Sequence, residues 1–205
     1  MKIKVCGMKN FANIGELLQL RVDYVGFIFY KQSPRYMEEP LIDIFFPDFV
    51  RKAGVFVDES IEEIFLRVRQ FGLNAVQLHG KESPEICRQL RETGVEVIKS
   101  FSIGSEDDFD LVEKYANVCD YFLFDTPTPQ YGGSGRKFDW NILQHYCGGI
   151  PFFLSGGIAP EDIERIRSFQ HQSLYAIDLN SRFEISPGVK DIPKLKNFIQ
   201  SIHVK

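Results

Sequence analysis

Short apolar runs alternate with amphipathic stretches about eight times along this chain, and this alternation restricts the fold more than any other feature of the sequence. The apolar runs are nearly continuous, as expected of strands that are buried on both faces of a parallel sheet. Alternating βα units predict such a sheet covered by helices. Eight units could close into a barrel or lie as an open doubly wound sheet. The even count and steady repeat favour the barrel over the open sheet. We therefore predict an α/β fold, a (βα)8 TIM barrel, that residues 1–205 form as one domain.

Local signals mark where several of the predicted helices begin. The residues that carry these signals are Ser60 with Glu63 as a capping box, Pro84, Asp139, Pro160 and Asp191. The unit after Phe29 is the least regular, because LIDIFF lies between Pro40 and Pro47 and fits either a helical turn or a strand. The second helix is therefore expected to be shortened.

Charge and composition narrow the possible partners. The chain has 24 Lys and Arg against 28 Asp and Glu, so its formal net charge of −4 predicts neither a nucleic acid nor an anionic membrane as partner. No apolar run approaches the roughly 20 residues of a membrane span, and the N-terminus does not resemble a secretory signal. The cysteines form no C-x-x-C pair and the histidines show no zinc-ligand spacing. We expect reduced thiols, no metal and a cytoplasmic location.

Polar residues follow the apolar runs at the positions where a barrel of this kind carries its active site. That site lies at the carboxyl ends of the strands. The segments that end the runs are Cys6–Gly7, Ser33–Arg35, Asp58, Gln77–Gly80, Ser100, Asp125–Thr126, Ser155–Gly157 and Asp178–Asn180. An inert scaffold does not need such a ring of reactive groups at one mouth, so the pattern predicts an enzyme.

Two glycine-rich loops are predicted to bind phosphate. Gly133 and Gly135 follow the sixth strand, Gly156 and Gly157 follow the seventh, and Asn180 and Ser181 follow the eighth. Glycine lets backbone N–H groups approach an anion closely, and helix N-termini add positive potential. The alternative is that these glycines only make turns, but their positions match the usual phosphate site of such barrels.

Cys6 and Asp125 are the predicted pair of proton-transfer groups. Cys6 ends the first strand and is followed at once by Gly7, whereas Cys87, Cys119 and Cys147 are expected to be structural. Asp125 ends the very apolar run YFLF. The alternatives are a buried small hydrophobic residue for Cys6 and a helix cap or loop-fixing group for Asp125. A thiol and a carboxylate across one mouth suit paired proton transfers.

Three further residues are candidate substrate contacts. His79 could contact substrate or be a hydrogen-bonded histidine at a strand end. Arg35 could hold a carboxylate or phosphate through two hydrogen bonds or lie on a solvated loop. Asp178 ends the eighth strand and is an alternative proton acceptor, as is His79.

Eight short motifs in order resemble one family. They are KVCGM at 4–8, SPR at 33–35, GVFVD at 54–58, QLHG at 77–80, FDT at 124–126, GGSG at 132–135, LSGGI at 154–158 and PGVKD at 187–191. Together they resemble the phosphoribosylanthranilate isomerase family of tryptophan biosynthesis, from Lys4 to Asp191. Chance is a poor explanation for eight motifs in the correct order.

The resemblance implies an enzyme that needs neither a metal nor an organic cofactor. It implies an Amadori rearrangement of N-(5-phosphoribosyl)anthranilate, a phosphorylated small molecule. By matching motifs, Cys6 takes the role of general base and Asp125 that of general acid, while Arg35 lies near the anthranilate carboxylate. The glycines of GGSG and SGG, with the loop after strand eight, are associated with the phosphate. We then expect a site that favours the thiolate of Cys6 and the acid form of Asp125, in a monomer or homodimer.

The sequence also departs from the family pattern. Lys9 stands where a threonine is usual. The segment Leu179–Glu184 stands where V-x-S-G-V-E is usual, so a glycine is missing. Arg182 could add a charge to the phosphate loop or point into solvent.

The remaining alternatives are a metal-dependent epimerase, an indole-forming synthase, a catalytically inactive barrel and a thiol redox protein. The sequence lacks the set of metal ligands that the epimerase needs. It also lacks the catalytic lysines of the synthase, since Lys99 is the only lysine in a strand-like run after the first strand. The thiol redox protein would need an adjacent resolving cysteine, which is missing.

Overall fold

Eight parallel strands follow one another around a closed barrel in a computed structural model that describes residues 1–40, 44–126 and 139–203. The strands are β1 Lys2–Val5, β2 Tyr24–Ile28, β3 Arg51–Phe56, β4 Ala75–Leu78, β5 Glu96–Ser102, β6 Tyr121–Asp125, β7 Phe152–Leu154 and β8 Leu174–Leu179. Lys4 of β1 pairs with Tyr24 on one side and with Asp178 on the other, which closes the ring. The barrel predicted from the sequence is therefore confirmed, and the open sheet is excluded.

Helices cover the outside of this barrel. They are α1 Phe11–Leu17, α2 Ile61–Phe71, α3 Pro84–Glu92, α4 Phe109–Glu113, α5 Ile163–Ser168 and α6 Ile192–His203. Single 3₁₀ segments occupy Glu106–Asp108, Trp140–His145, Pro160–Asp162 and Ser181–Phe183. A small antiparallel hairpin, β9 Glu184–Ser186 with β10 Val189–Lys190, follows β8 on the same side as the strand ends.

The unit after β2 has no helix among its described residues, 29–40 and 44–50. Pro34, Pro40 and Pro47 divide this segment, and each proline removes a backbone donor and disfavours helical backbone in the residue before it. The chain instead makes an isolated bridge between Ile28 and Tyr36. The shortened second helix expected from the sequence is, in the described residues, an irregular connection.

Three of the predicted helix starts are confirmed, at Ser60, Pro84 and Asp191, whereas Pro160 and Asp139 begin 3₁₀ segments. Ser60 accepts a hydrogen bond from the backbone N–H of Glu63 at 3.2 Å, and Pro84 occupies the first turn of α3. Asp139 caps the 3₁₀ segment through Asn141 N, where a helix was expected. Asp191 accepts from Lys194 N at the start of α6. Glu63 pairs with Arg67 instead of completing a reciprocal capping box.

Two apolar layers hold the barrel together. The larger one lies between the strands and the helices. The smaller one fills the bottom of the barrel with one side chain from each of seven strands, namely Tyr24, Ala53, Ala75, Ile98, Leu123, Phe153 and Ala176. Side chains alternate in direction along a strand, so the interior positions nearer the carboxyl ends belong to Lys4, Gln77, Ser100, Asp125 and Asp178. The bottom of the barrel is thus apolar and the upper end polar.

Candidate active site

Cys6 directly follows β1 and is only 3% exposed, so its thiol is enclosed by the upper end of the barrel. Its backbone N–H donates to Leu179 O at 2.9 Å, which ties it to β8. On the other side, an ideal Cβ added to Gly26 of β2 would lie 2.8 Å from the Cys6 Sγ. The space for the thiol therefore depends on glycine at position 26.

A buried ion pair lies beside this thiol. Lys4 points to the same side of β1 as Cys6, is fully buried, and its Nζ donates to Asp178 Oδ1 at 2.9 Å. Burial disfavours the ammonium, but Asp178 and Cys6 outweigh this effect and the pKa of Lys4 is raised. A positive charge is thereby fixed next to the thiol.

The thiol of Cys6 is not shifted toward the thiolate. Burial raises the pKa of Cys6, and the ammonium groups of Lys4 and Lys190 oppose that rise without cancelling it. The expectation that this site favours the thiolate is therefore wrong, because the loss of hydration at a buried thiolate, with the negative charge of Asp178, outweighs two nearby positive charges. The sequence shows which charges are present but not how completely the thiol is removed from water.

Asp125 ends β6 on the far part of the same mouth, three strands from β1 in one direction and five in the other. Its Oδ1 accepts a hydrogen bond from the backbone N–H of Thr126 at 2.7 Å. Burial raises the pKa of Asp125 to about 6, which is the direction expected for a general acid. Its side chain keeps 28% of its surface exposed, so a ligand in the mouth can reach it.

The ring of His79 lies between Asp125 and Gln77. Its Nε2 is 3.8 Å from Asp125 Oδ2, and its Nδ1 is 3.0 Å from Gln77 Nε2. Burial, together with the positive charges of Lys99 and Lys4, lowers the pKa of His79 to about 4. The imidazole is therefore neutral at pH 7 and is one of the side chains that face the mouth.

Arg35 is held by a carboxylate of the protein itself. Its Nε and Nη2 both donate to Glu184, which also accepts from Lys190 Nζ at 2.7 Å and from Gly188 N at 3.1 Å. These partners outweigh burial and lower the pKa of Glu184. Among the described residues, Nη1 of Arg35 makes no hydrogen bond to Glu184, so this end of the guanidinium can face a ligand anion.

The loops next to Cys6 are closely packed. Gly7 has a φ of +77°, and a Cβ there would lie 2.7 Å from Arg35 Cδ and 2.8 Å from Asn180 Oδ1. The Asn180 side chain accepts from Lys190 Nζ at 2.7 Å. Asn180 was predicted to bind phosphate, and the structure directs its side chain to Gly7 and Lys190, while its backbone carbonyl accepts from Phe183 N at 3.1 Å.

The remaining predicted phosphate residues lie in the loops after β7 and β8. Gly156 and Gly157 have φ values of +94° and +68°, a left-handed backbone that favours glycine. Ser181 is exposed and begins the 3₁₀ segment after β8. Gly133 and Gly135 lie outside the described residues.

Sequence reasoning missed the charged residues that surround the predicted ones. Lys4 is two residues from Cys6, and the period of two along a strand would have placed both on one side. Glu184 and Lys190 are 149 and 155 residues from Arg35, so no local pattern connects them to it.

Within the described ranges, no group of three or more His, Cys, Asp or Glu side chains could hold a metal ion. Among the described helices, none has the length and apolar character needed to cross a membrane.

Comparisons with known proteins point to one family. The family model described as N-(5′-phosphoribosyl)anthranilate (PRA) isomerase matches residues 3–201. A relative from Parabacteroides distasonis named N-(5′-phosphoribosyl)anthranilate isomerase is 48% identical over 206 residues, covering 98% of this chain and 93% of the relative.

Solved structures agree with the sequence comparison. A phosphoribosyl anthranilate isomerase in complex with reduced 1-(o-carboxyphenylamino)-1-deoxyribulose 5-phosphate has a TM-score of 0.81 at 31% identity and 98% coverage of both chains. Monomers generated from the dimeric Thermotoga maritima enzyme have a TM-score of 0.81 at 30% identity, also with 98% coverage of both chains.

Proposed function

This chain belongs to the N-(5′-phosphoribosyl)anthranilate isomerase family, and we propose that Cys6 is the general base and Asp125 the general acid of its reaction. The family's reaction is the Amadori rearrangement of N-(5′-phosphoribosyl)anthranilate, an aldose phosphate derivative, to the corresponding amino-deoxyketose phosphate. The chain is accordingly an isomerase of tryptophan biosynthesis.

One observation carries the assignment of the acid. Asp125 is a partly exposed carboxyl group at a barrel mouth, and burial raises its pKa to about 6. A carboxyl group with this pKa is protonated in a useful fraction of molecules near neutral pH, whereas an ordinary aspartate is almost entirely ionised. Asp125 can therefore deliver a proton to the ring oxygen of the substrate.

The first step opens the sugar ring. Asp125 protonates the ring oxygen as the bond from that oxygen to C1′ breaks, and the nitrogen lone pair forms a C1′=N⁺ double bond. This cationic Schiff base withdraws electrons from C2′ and acidifies its hydrogen. His79, whose Nε2 is 3.8 Å from Asp125 Oδ2, lies close enough to contact the same part of the substrate.

The second step removes the C2′ proton. The thiolate of Cys6 takes this proton, the electrons of the C–H bond neutralise the C1′=N⁺ group, and the resulting enolamine tautomerises to the ketone. Because burial raises the pKa of Cys6, the thiolate is a minor form at neutral pH. Lys4 and Lys190 favour that form, and Asp178, bonded to Lys4, is available as an alternative proton acceptor.

The substrate's two anionic ends have separate candidate positions. Arg35 is oriented by Glu184 and has Nη1 available for the anthranilate carboxylate. The phosphate is proposed to lie on the backbone of the loops that carry Gly133, Gly135, Gly156, Gly157, Asn180 and Ser181. The left-handed φ values of Gly156 and Gly157 support this, since glycine at these positions leaves no side chain between the backbone N–H groups and an anion.

We also propose a single-domain protein of the cytoplasm that is a monomer or a homodimer. The free thiols of Cys87 and Cys119 are buried and Cys147 is exposed and unpaired, as in a reducing compartment. Phe45 and Phe49 are 82% and 62% exposed just before β3, which supports the homodimer. Light scattering over a concentration series distinguishes the two states.

The test uses freshly prepared phosphoribosylanthranilate and follows the loss of its fluorescence. Cys6→Ser preserves size but makes a much weaker base, and Asp125→Asn preserves shape but has no carboxyl proton to give. Each change should lower kcat by about 10² or more with KM largely retained.

Cys147→Ser is the matched control for the thiol, because Cys147 is exposed and outside the mouth. Its kcat should equal that of the unmodified protein. Near-normal turnover in a folded Cys6→Ser protein would remove Cys6 as base and direct attention to His79 or Asp178.

A further inference from the structure

Gln77 is a buried side chain whose amide contacts the ring of His79. Both residues point into the barrel, since they are two positions apart at the end of β4, and Gln77 is 2% exposed. Gln77 Nε2 lies 3.0 Å from His79 Nδ1. This contact holds the ring from the side opposite to Asp125.

The direction of that hydrogen bond determines where the ring carries its proton. An amide NH₂ group can only donate, so the His79 Nδ1 that receives it carries a lone pair. The single proton of the neutral ring is then on Nε2, the nitrogen that lies 3.8 Å from Asp125 Oδ2. A gap of 3.8 Å is longer than a hydrogen bond, and such bonds often shorten when substrate binds.

We propose that Gln77 is a positioning residue that holds His79 in the tautomer whose Nε2–H points at Asp125. The inference rests on the proposed function of Asp125 as general acid. After Asp125 has protonated the ring oxygen, its carboxylate accepts a hydrogen bond from the Nε2–H of His79. Gln77 thus acts on the acid through His79 and does not itself touch the substrate.

A neutral ring matters because a charged one would change the acid. An imidazolium at this distance would form an ion pair with Asp125 and favour its ionised form, which cannot donate a proton. A neutral N–H donor stabilises the carboxylate less, so a useful fraction of the Asp125 carboxyl groups still holds its proton near neutral pH. The tautomer therefore provides a donor without making Asp125 too strong an acid.

The charged groups around the ring agree with this arrangement. Lys99 of β5 and Lys4 of β1 both disfavour a positive charge on His79, and burial disfavours it more strongly. Lys99 is fixed by Glu82 at 3.1 Å and by the carbonyl oxygens of Leu78 and Gly80.

On the acid side, burial is the largest cause of the raised pKa of Asp125 and Asp178 of β8 adds to it, while the N–H of Thr126 and the charge of Lys4 oppose it. Burial is therefore the main reason why His79 is neutral and why the pKa of Asp125 is raised. The two lysines at the ring and Asp178 at the acid act in the same direction as burial.

The oxygen of the Gln77 amide is the second atom that bears on the tautomer of His79. Gln77 Oε1 is buried and has no hydrogen-bond partner among the described residues. If the amide were rotated by 180°, Oε1 would accept from Nδ1–H, and the lone pair of His79 Nε2 would face Asp125. The two orientations therefore predict opposite tautomers of the same ring.

The decisive measurement is a long-range ¹H–¹⁵N correlation spectrum of the full-length protein with ¹⁵N-labelled histidine. The chain has four histidines, and loss of one ring in His79→Asn assigns the signal. We expect the Nε2–H tautomer for His79 and no protonation of the ring down to about pH 5, given its pKa of about 4. An Nδ1–H tautomer, or a ring that protonates near pH 6, overturns the inference.

Variants test the consequence for the reaction. In Gln77→Glu the carboxylate can only accept, so it should draw a proton to Nδ1 and favour the imidazolium. We expect kcat to fall tenfold or more with KM changed less than threefold, and the apparent pKa of the acid to fall. Gln77→Met, which lacks the amide, should give a mixture of tautomers and a smaller loss of kcat.

Gln172→Glu is the matched control, because the same change of charge is made at an exposed position away from the mouth. It should alter neither kcat nor the tautomer. An unchanged tautomer and rate in both Gln77 variants would overturn the inference. If Asp125→Asn retains turnover, the proposed function fails. If Asp125→Asn is inactive while the native ring is the Nδ1–H form, only the inference fails.

Discussion

Replacing Gly26 by alanine should displace the thiol of Cys6 without altering any reactive group. An ideal Cβ at position 26 would lie 2.8 Å from Cys6 Sγ and 3.0 Å from Cys6 Cα. Non-bonded carbon contacts are normally about 3.5–4.0 Å. The thiol and the end of β1 must therefore move by up to about 1 Å to accept one methyl group.

The size of the effect follows from that displacement. A misplacement of about 1 Å at a reacting group can lower the rate by about 10²-fold. Overpacking of this kind also destabilises a protein by about 1–3 kcal/mol. We therefore expect Gly26→Ala to fold, to lose about 10²-fold in kcat and to keep a KM within a few fold of the original.

Three measurements separate the catalytic loss from the loss of stability. The fluorescence assay gives kcat and KM, urea unfolding gives the free energy of unfolding, and the rate of iodoacetamide alkylation reports access to Cys6. Gly15→Ala is the matched control, because no atom lies within 4 Å of a Cβ at this exposed position of α1. That change should raise helix stability by up to about 1 kcal/mol and leave kcat unchanged.

One outcome would refute the reasoning directly. If folded Gly26→Ala turns over substrate at the original rate, the position of the Cys6 thiol does not control the reaction. A loss of kcat that Gly15→Ala shares would show that the assay responds to glycine replacement in general.

Three further predictions concern pH and the two ends of the substrate. Asp125 must be protonated and has a pKa of about 6, whereas Cys6 must be ionised and burial raises its pKa. We therefore expect kcat/KM to rise with pH up to about 6, to stay level while the loss of the acid offsets the gain of thiolate, and to fall only when the thiol is ionised. A decline of kcat/KM already between about pH 6.5 and 8 would contradict this order. Arg35→Lys keeps the charge but cannot bond Glu184 through two nitrogens. We therefore expect kcat/KM to fall more for the natural substrate than for an analogue without the carboxylate. Equal losses for both would count against a contact between Arg35 and the carboxylate. Gly156→Val places a branched side chain at a φ of +94°, so calorimetry should show weaker binding of inorganic phosphate to the folded variant; unchanged affinity would remove this loop from the phosphate site.

Some local signals in the sequence were misleading in an instructive way. The run after Phe29 looked like part of a βα unit, yet the described residues there contain no helix, because three prolines divide the segment. The stretch DWNILQHY, which looked helical, forms a 3₁₀ segment at Trp140–His145. The prolines explain the first difference. The second shows that a helical pattern of only about eight residues does not by itself decide between an α-helix and a 3₁₀ segment.

The sequence by itself determined the barrel and which residues face its mouth. Apolar runs, cap residues and strand ends are local properties, so the positions of Cys6 and Asp125 at the ends of β1 and β6 followed from the order of residues along the chain. The period of two along a strand also decides which side chains point inward.

Only the tertiary structure decided how these groups behave. The pKa of Cys6 is raised because its surroundings exclude water, and no count of nearby lysines in the sequence reveals that exclusion. Arg35 is held by Glu184, and Lys4 by Asp178, across 149 and 174 residues of chain. Such pairs exist only once the barrel has closed, since closure brings the ends of distant strands within hydrogen-bonding distance and removes them from water together.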